Sequence, residues 1–102
     1  MSSNGKVALV TGGGSGIGKA AAIALAKEGF AAVIAGRRPE RLEEVAREIE
    51  GFGGQVLSVQ TDVTDPAAVK NLFAKTKDRF GRLDVLFNNA GFGAAAPIEV
   101  LP

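Results

Sequence analysis

The chain contains no Cys, His, Trp or Tyr. Without Cys there is no disulfide framework and no thiolate zinc site. Without His there is no Ser-His-Asp triad, no imidazole acid–base and no His-ligated metal. Charge of one sign is also missing: 12 Lys and Arg face 11 Asp and Glu, for a net charge of +1. That balance gives no electrostatic footprint for nucleic acid or an anionic membrane. The apolar runs break well before the length a bilayer requires. The opening Met1-Ser2-Ser3-Asn4-Gly5-Lys6 has neither the apolar core of a signal peptide nor a Gly at position 2. The expected location is the cytoplasm.

What remains is ordinary globular material of 102 residues, 46% apolar and 23% charged, enough for one domain. Four apolar runs, Val7–Val10, Ala31–Ala35, Val56–Val59 and Leu83–Phe87, alternate with three helical patterns. Each run is nearly continuous, as expected of parallel strands covered on both faces. The first helix is expected from Gly16 to Lys27, with Ile17, Ala20, Ala21, Ala24 and Leu25 on its inner face and Gly29 as its stop. The second opens at Pro39 and carries the stripe Leu42, Val45, Ala46, Ile49, with Glu43 and Arg47 paired outside. The third follows Asp65-Pro66, a capping residue and a good first-turn residue, and stops at Gly81. This βαβ succession predicts an α/β fold: a Rossmann-like, doubly wound parallel sheet, partial, with four strands in order 3-2-1-4 and three helices.

Between the first strand and first helix stands Thr11-Gly12-Gly13-Gly14-Ser15-Gly16-Ile17-Gly18. Glycines there allow a sharp turn and a close approach of a pyrophosphate, and the helix N-terminus supplies free N–H groups and positive potential. Gly13 to Lys19 nearly matches a P-loop, but Ala20 stands where a Ser or Thr should bind Mg²⁺. The dinucleotide reading therefore leads.

The pattern T-G-x-x-x-G-x-G, with Asp62-Val63 after the third strand and Asn88-Asn89-Ala90-Gly91 after the fourth, resembles the short-chain dehydrogenase/reductase family from about Lys6 onward. The resemblance implies roles position by position. Gly12, Gly16 and Gly18 would form the turn, and backbone from Ser15 to Ile17 would meet ribose and pyrophosphate, with the Ile17 side chain pointing inward. Asp62 would accept from the adenine amino group while Val63 backbone meets the ring. Asn89, Ala90 and Gly91 would line the wall near the ribose, and Asn88 would be structural. An NAD-preferring site places an acid at the end of the second strand; here Gly36 takes that place, followed by Arg37 and Arg38. A guanidinium binds a 2′-phosphate that a carboxylate would repel, so NADP is expected in preference to NAD, with Arg37 the main contact and Arg38 the second.

The same resemblance implies an NAD(P)-dependent oxidoreductase acting on a carbonyl or alcohol, a homo-oligomer with a small-molecule substrate. The family's proton donor is a Tyr, with a Lys four residues later and a Ser polarising the carbonyl. Tyr is absent from these residues. Neither Lys19, read as a surface lysine, nor Asp84, expected to stay ionised, replaces it. The expectation is a cofactor-binding segment, truncated from a longer one-domain enzyme, that does not turn over alone and whose fourth strand forms an unprotected apolar edge. The alternative is a non-catalytic nucleotide-binding or sensor module.

Overall fold

The computed structural model describes residues 5–14 and 16–88, together with the backbone of 99–100. Four parallel strands, β1 (Val7–Thr11), β2 (Ala31–Gly36), β3 (Val56–Gln60) and β4 (Val85–Asn88), lie in the order β3-β2-β1-β4. Helices α1 (Gly16–Lys27), α2 (Pro39–Gly51) and α3 (Pro66–Phe80) connect them. The expected order and helix count are therefore present. A short fifth strand, β5 (Glu99–Val100), was not expected; it pairs antiparallel with β4 at Val85 and Leu86, so the fourth strand is not the uncovered edge that its sequence suggests.

Strand alternation divides the core in two. Val10, Ala32 and Ile34 face α1 and α2, meeting Ala22, Ala26, Leu42, Val45 and Ile49. Val7, Leu9, Val33 and Ala35 face the other way, toward Leu72 of α3 and Val59. Every residue of β1 is buried, and so is β2 up to Ala35, as a central parallel strand requires. The edge strand β3 departs from the expected two-sided burial, because Ser58 and Gln60 are exposed.

Helix α2 buries the expected Leu42, Val45 and Ile49, and Glu43 Oε1 accepts from Arg47 Nη2 at 3.4 Å on its outer face. Helix α3 is capped as its sequence suggests, with Asp65 Oδ1 accepting from Ala67 N at 3.0 Å and Gly81 closing the far end. Helix α1 has its expected bounds but a different inner face. Gly18, Ala22 and Ala26 are the buried positions, whereas Ile17 is 68% exposed. Apolar residues ring most of this helix, so periodicity could not select a face. The stripe of small residues wins because it lets the helix lie close against the sheet.

The strand β4 starts two residues later than its apolar run. Asp84, the residue just before it, is buried and committed to side-chain bonds: its Oδ2 accepts from Val7 N at 2.8 Å and from Arg82 Nε at 2.9 Å, and Oδ1 accepts from Arg82 Nη2 at 2.6 Å. The Asp84 N–H in turn donates to the Val7 carbonyl at 2.8 Å. This lock ties the starts of β1 and β4 together at the end of the sheet away from the glycine turn.

Candidate functional site

The chemistry-bearing residues collect at the C-terminal ends of the strands, where doubly wound sheets bind ligands. The turn after β1 begins at Gly12, whose φ of +68° is a conformation that side chains disfavour. Gly13 N–H donates to the Ala35 carbonyl at 3.1 Å, which staples the turn to β2. A Cβ on Gly13 would stand 2.8 Å from Ile34 Cβ, and one on Gly14 would stand 2.9 Å from Arg41 Cβ. The turn is thus seated on β2 and α2, and side chains at these two positions have no room. Gly16 differs: among the described residues nothing lies within 4 Å of the place its Cβ would occupy. It opens α1, so its surroundings leave the helix N-terminus accessible to an anion.

Beside the turn is a small cavity of about 90 Å³, lined by Gly12, Gly14, Gly36, Arg38, Arg41 and Leu42. Arg38 is the N-cap of α2, in an extended conformation that makes no side-chain cap bond. Arg37 points its effect elsewhere. Its carbonyl accepts from Gln60 Nε2 at 3.3 Å, and its charge helps hold the Asp62 carboxyl below the ordinary aspartate range. The larger causes of that lowering are the Thr64 hydroxyl and then the Thr64 N–H, donating to Asp62 Oδ1 at 2.6 and 2.9 Å. Asp62 is therefore an ionised acceptor held by its own turn. Both bonds use Oδ1, which leaves Oδ2 for a ligand. Asp62 also gives its carbonyl to Asp65 N at 3.0 Å, which closes the loop after β3 into a turn.

Val63 borders a second, mainly apolar hollow of about 140 Å³ between α3, β1 and β4, together with Leu9, Phe73 and Leu86. At its upper rim Thr11 Oγ1 donates to Asn88 Oδ1 at 2.8 Å, linking the ends of β1 and β4. Asn88 thus has the structural role expected of it. A larger hollow of about 380 Å³, lined by residues such as Gly29, Phe30 and Gly54, lies at the opposite end of the sheet and has no titratable side chain in its wall.

Of the expected site residues, Gly12, Gly16, Gly18, Arg37, Arg38, Asp62 and Val63 lie at this one end of the sheet. Ile17 lies there too, but its side chain turns outward rather than inward, so only its backbone matches the expected part. Ser15, Asn89, Ala90 and Gly91 lie outside the described residues. Lys19 does behave as a surface lysine, 3.7 Å from Glu48 Oε1 on α2. Arg41 also borders the cavity, a place that only the packing of Gly14 on α2 reveals. Among the described residues no group of three acidic, His or Cys side chains could hold a metal, and no helix is long and apolar enough to cross a membrane.

Comparison with known proteins adds a separate line of observation. Residues 6–102 match the pattern of the short chain dehydrogenase family. A 3beta-hydroxysteroid dehydrogenase of Mediterraneibacter gnavus is 46% identical over 97 residues, which cover 94% of this chain and 35% of that protein. A probable 2,4-dienoyl-CoA reductase of Bacillus subtilis is 42% identical over 96 residues, covering 94% of this chain and 38% of the relative. Among solved structures, a dehydrogenase/reductase from Sinorhizobium meliloti superimposes with a TM-score of 0.85 at 40% identity, over 94% of this chain and 38% of that one. The glucose dehydrogenase of Caenorhabditis elegans gives 0.82 at 43% identity, over 87% of this chain and 39% of that one. The chain thus spans little more than a third of the length of these relatives.

Proposed function

Because the chain belongs to the short-chain dehydrogenase family, we propose that it is the dinucleotide-binding segment of an NAD(P)-dependent oxidoreductase. The whole protein would pass hydride between a nicotinamide cofactor and a carbonyl or alcohol. One observation supports this above others: the side-chain-free turn, the N-terminus of α1 and the Asp62 loop converge at one end of the sheet. The fit to a dinucleotide is chemical as well as spatial. Gly13 and Gly14 seat the turn closely on β2 and α2, and the α1 N-terminus, open at Gly16, offers a pyrophosphate free N–H groups. Asp62, kept ionised by Thr64, is an acceptor for an adenine amino group, with the Val63 backbone against the ring.

NADP is the preferred cofactor in this reading. Gly36 presents no carboxylate to repel a 2′-phosphate, and Arg37 and Arg38 follow it directly. Asn89, Ala90 and Gly91 would complete the wall near the ribose. When bound, the nicotinamide would give hydride to a carbonyl or take it from an alcohol, and either direction needs a proton donor or acceptor at the substrate oxygen. The family's Tyr is not among the 102 residues, and the ionised, arginine-bound Asp84 sits at the wrong end of the sheet. These residues therefore bind and orient cofactor, and the proton is handled by residues beyond them. The missing Tyr is also what favours a second reading, a nucleotide-binding sensor without chemistry. Ser and Tyr-x-x-x-Lys encoded downstream would decide for the oxidoreductase.

Titration with NADPH and NADH, followed by nicotinamide fluorescence, tests the cofactor assignment. NADPH should bind more tightly; equal or tighter NADH binding overturns the preference. Gly36→Asp should then shift the preference toward NADH. The new Cβ would meet Leu42 Cδ2 at 3.5 Å, an ordinary contact that the fold tolerates.

A further inference from the structure

The strand β3 closes one side of the sheet, and among the described residues no strand lies beyond it. Its register with β2 determines which main-chain groups are left over. The Gln55 carbonyl accepts from Ala32 N at 2.9 Å, and Thr61 N donates to the Gly36 carbonyl at 2.7 Å. In a parallel ladder the bonds to one neighbour come from alternate residues, so Gln55, Leu57, Val59 and Thr61 serve β2. The N–H and C=O groups of Val56, Ser58 and Gln60 therefore point away from the sheet. Natural proteins blunt such an edge with a Lys, a Pro, a bulge or a covering segment. The residues Val-Leu-Ser-Val-Gln carry no charge and no Pro, and their five pairs with β2 run without a bulge. Ser58 and Gln60 are exposed. The Gln60 side chain is engaged toward β2, donating to the Arg37 carbonyl at 3.3 Å, and so leaves the edge uncovered. On the opposite side of the sheet β4 has β5 as a neighbour.

We infer that β3 is an interface for a second copy of this chain, paired antiparallel about a two-fold axis at Ser58. The occupant follows from the self-complementarity of the strand in that register. With Ser58 facing the partner's Ser58, Val56 meets the partner's Gln60, and all three outward-facing residues exchange main-chain bonds. Ser58 shares the α2 face with Val56, so hydroxyl meets hydroxyl there. On the α3 face Leu57, only half-buried in the single chain, packs on the partner's Val59. No like charges meet, because the strand has none, and the ionised Asp62 beyond it faces the partner's Gly54. Centring the pair on Val59 would set Val56 against the partner's Asp62. Centring it on Leu57 would leave Gln60 opposite the partner's Gly54, outside the strand. Ser58 is thus the centre that uses the whole edge. The pairing is independent of the cofactor reading.

The test is amide hydrogen exchange from micromolar to millimolar chain, with sedimentation at the same concentrations. The Val56, Ser58 and Gln60 amides should exchange quickly in dilute solution. They should slow about tenfold once roughly nine chains in ten are paired. The Leu57 and Val59 amides, bonded to β2, should be slow throughout and report that the sheet is intact. Ser58→Lys sets like charges across the axis, and Ser58→Pro removes an outward N–H that the sheet does not use. Both should keep the Leu57 and Val59 protection and lose the concentration dependence at Val56 and Gln60. Where Ser58→Pro does not fold, Ser58→Lys at this exposed position decides. Three results overturn the interface: a chain that stays monomeric, an associated chain whose Ser58 amide still exchanges quickly, or a Ser58→Lys chain that pairs as well as the unaltered one. The second result would place association at another edge.

Discussion

Gly13 and Gly16 belong to the same turn, yet the space around them separates a structural glycine from a functional one. Alanine at Gly13 would drive its Cβ to 2.8 Å from the Cβ of Ile34, a fully buried branched side chain on β2 that has nowhere to go. Gly13→Ala should therefore cost about 1–3 kcal/mol of stability, as overpacking does, visible as a lower urea midpoint. Alanine at Gly16 meets open space among the described residues, so Gly16→Ala should leave the midpoint unchanged and weaken dinucleotide binding instead. A Gly16→Ala protein that binds cofactor normally would remove this residue from the site. The sequence motif marks Gly16 and leaves Gly13 unassigned; that Gly13 has no room for a side chain follows only from its neighbours on a strand more than fifteen residues away.

Among the secondary-structure elements, the junction of β1 and β4 depends most on one ionisable group. The Arg82 guanidinium, followed by the Val7 N–H and the charges of Arg82 and Lys6, holds the Asp84 carboxyl below the ordinary aspartate value of 3.8, against the opposing effect of burial. A carboxyl depressed in the folded state stabilises the fold fully above its unfolded value. That contribution fades as pH falls through the lower folded value. The lock should thus be constant at neutral pH and be lost only in acid below about pH 4. Asp84→Asn keeps an acceptor for Val7 but surrenders the charged fork. It should cost about 1–3 kcal/mol at pH 7, and its deficit relative to the unaltered chain should shrink in acid. A deficit independent of pH would show that packing, and not the charge, carries the contribution. The boundary of β4 follows from the same residue. The apolar run predicts a strand from Leu83, but the Asp84 side chain has taken the Val7 N–H and the ladder begins at Val85.

For the molecule as a whole, burial is uneven across the sheet. The strands β1 and β2 are buried almost throughout, whereas all four residues of β4 are only half-buried. Against β4 lies the apolar hollow that Leu86 and Phe73 share, and Phe73 itself is 39% exposed. The Asp84 N–H points to β1, so alternation sends the amides of Val85 and Phe87 outward, toward the β5 side. The two-residue β5 offers little cover: the described pairs reach Val85 and Leu86 only. An apolar strand with so short a neighbour is a template for pairing with another chain. The 102-residue chain should therefore associate with rising concentration in sedimentation experiments, with the Phe87 amide, beyond the described β5 pairs, exchanging faster in dilute solution than the Val85 amide that faces Val100. A monomer at high concentration with the Phe87 amide protected would contradict this.

Much of this protein is local, and local features are legible in a sequence. Pro39, Asp65-Pro66, Gly29 and Gly81 mark helix ends through backbone chemistry that needs no partner. The continuous apolar runs and their alternation with helices determine a parallel sheet, because right-handed crossovers leave few other topologies. The glycine turn, Asp62-Val63 and Asn88 announce the family by residue type and order. What the tertiary structure decided are matters of which surfaces meet. It set α1 on its Gly18–Ala22–Ala26 stripe, since an alanine-rich helix carries no pattern strong enough to choose a face and the closest approach wins. It gave Asp84 to Val7 across 77 residues, a bond for which no local rule speaks. It brought Arg41 under Gly14, turning what reads as a surface charge into part of a cavity wall. Periodicity and capping act within one element; side-chain partners are fixed only when elements pack.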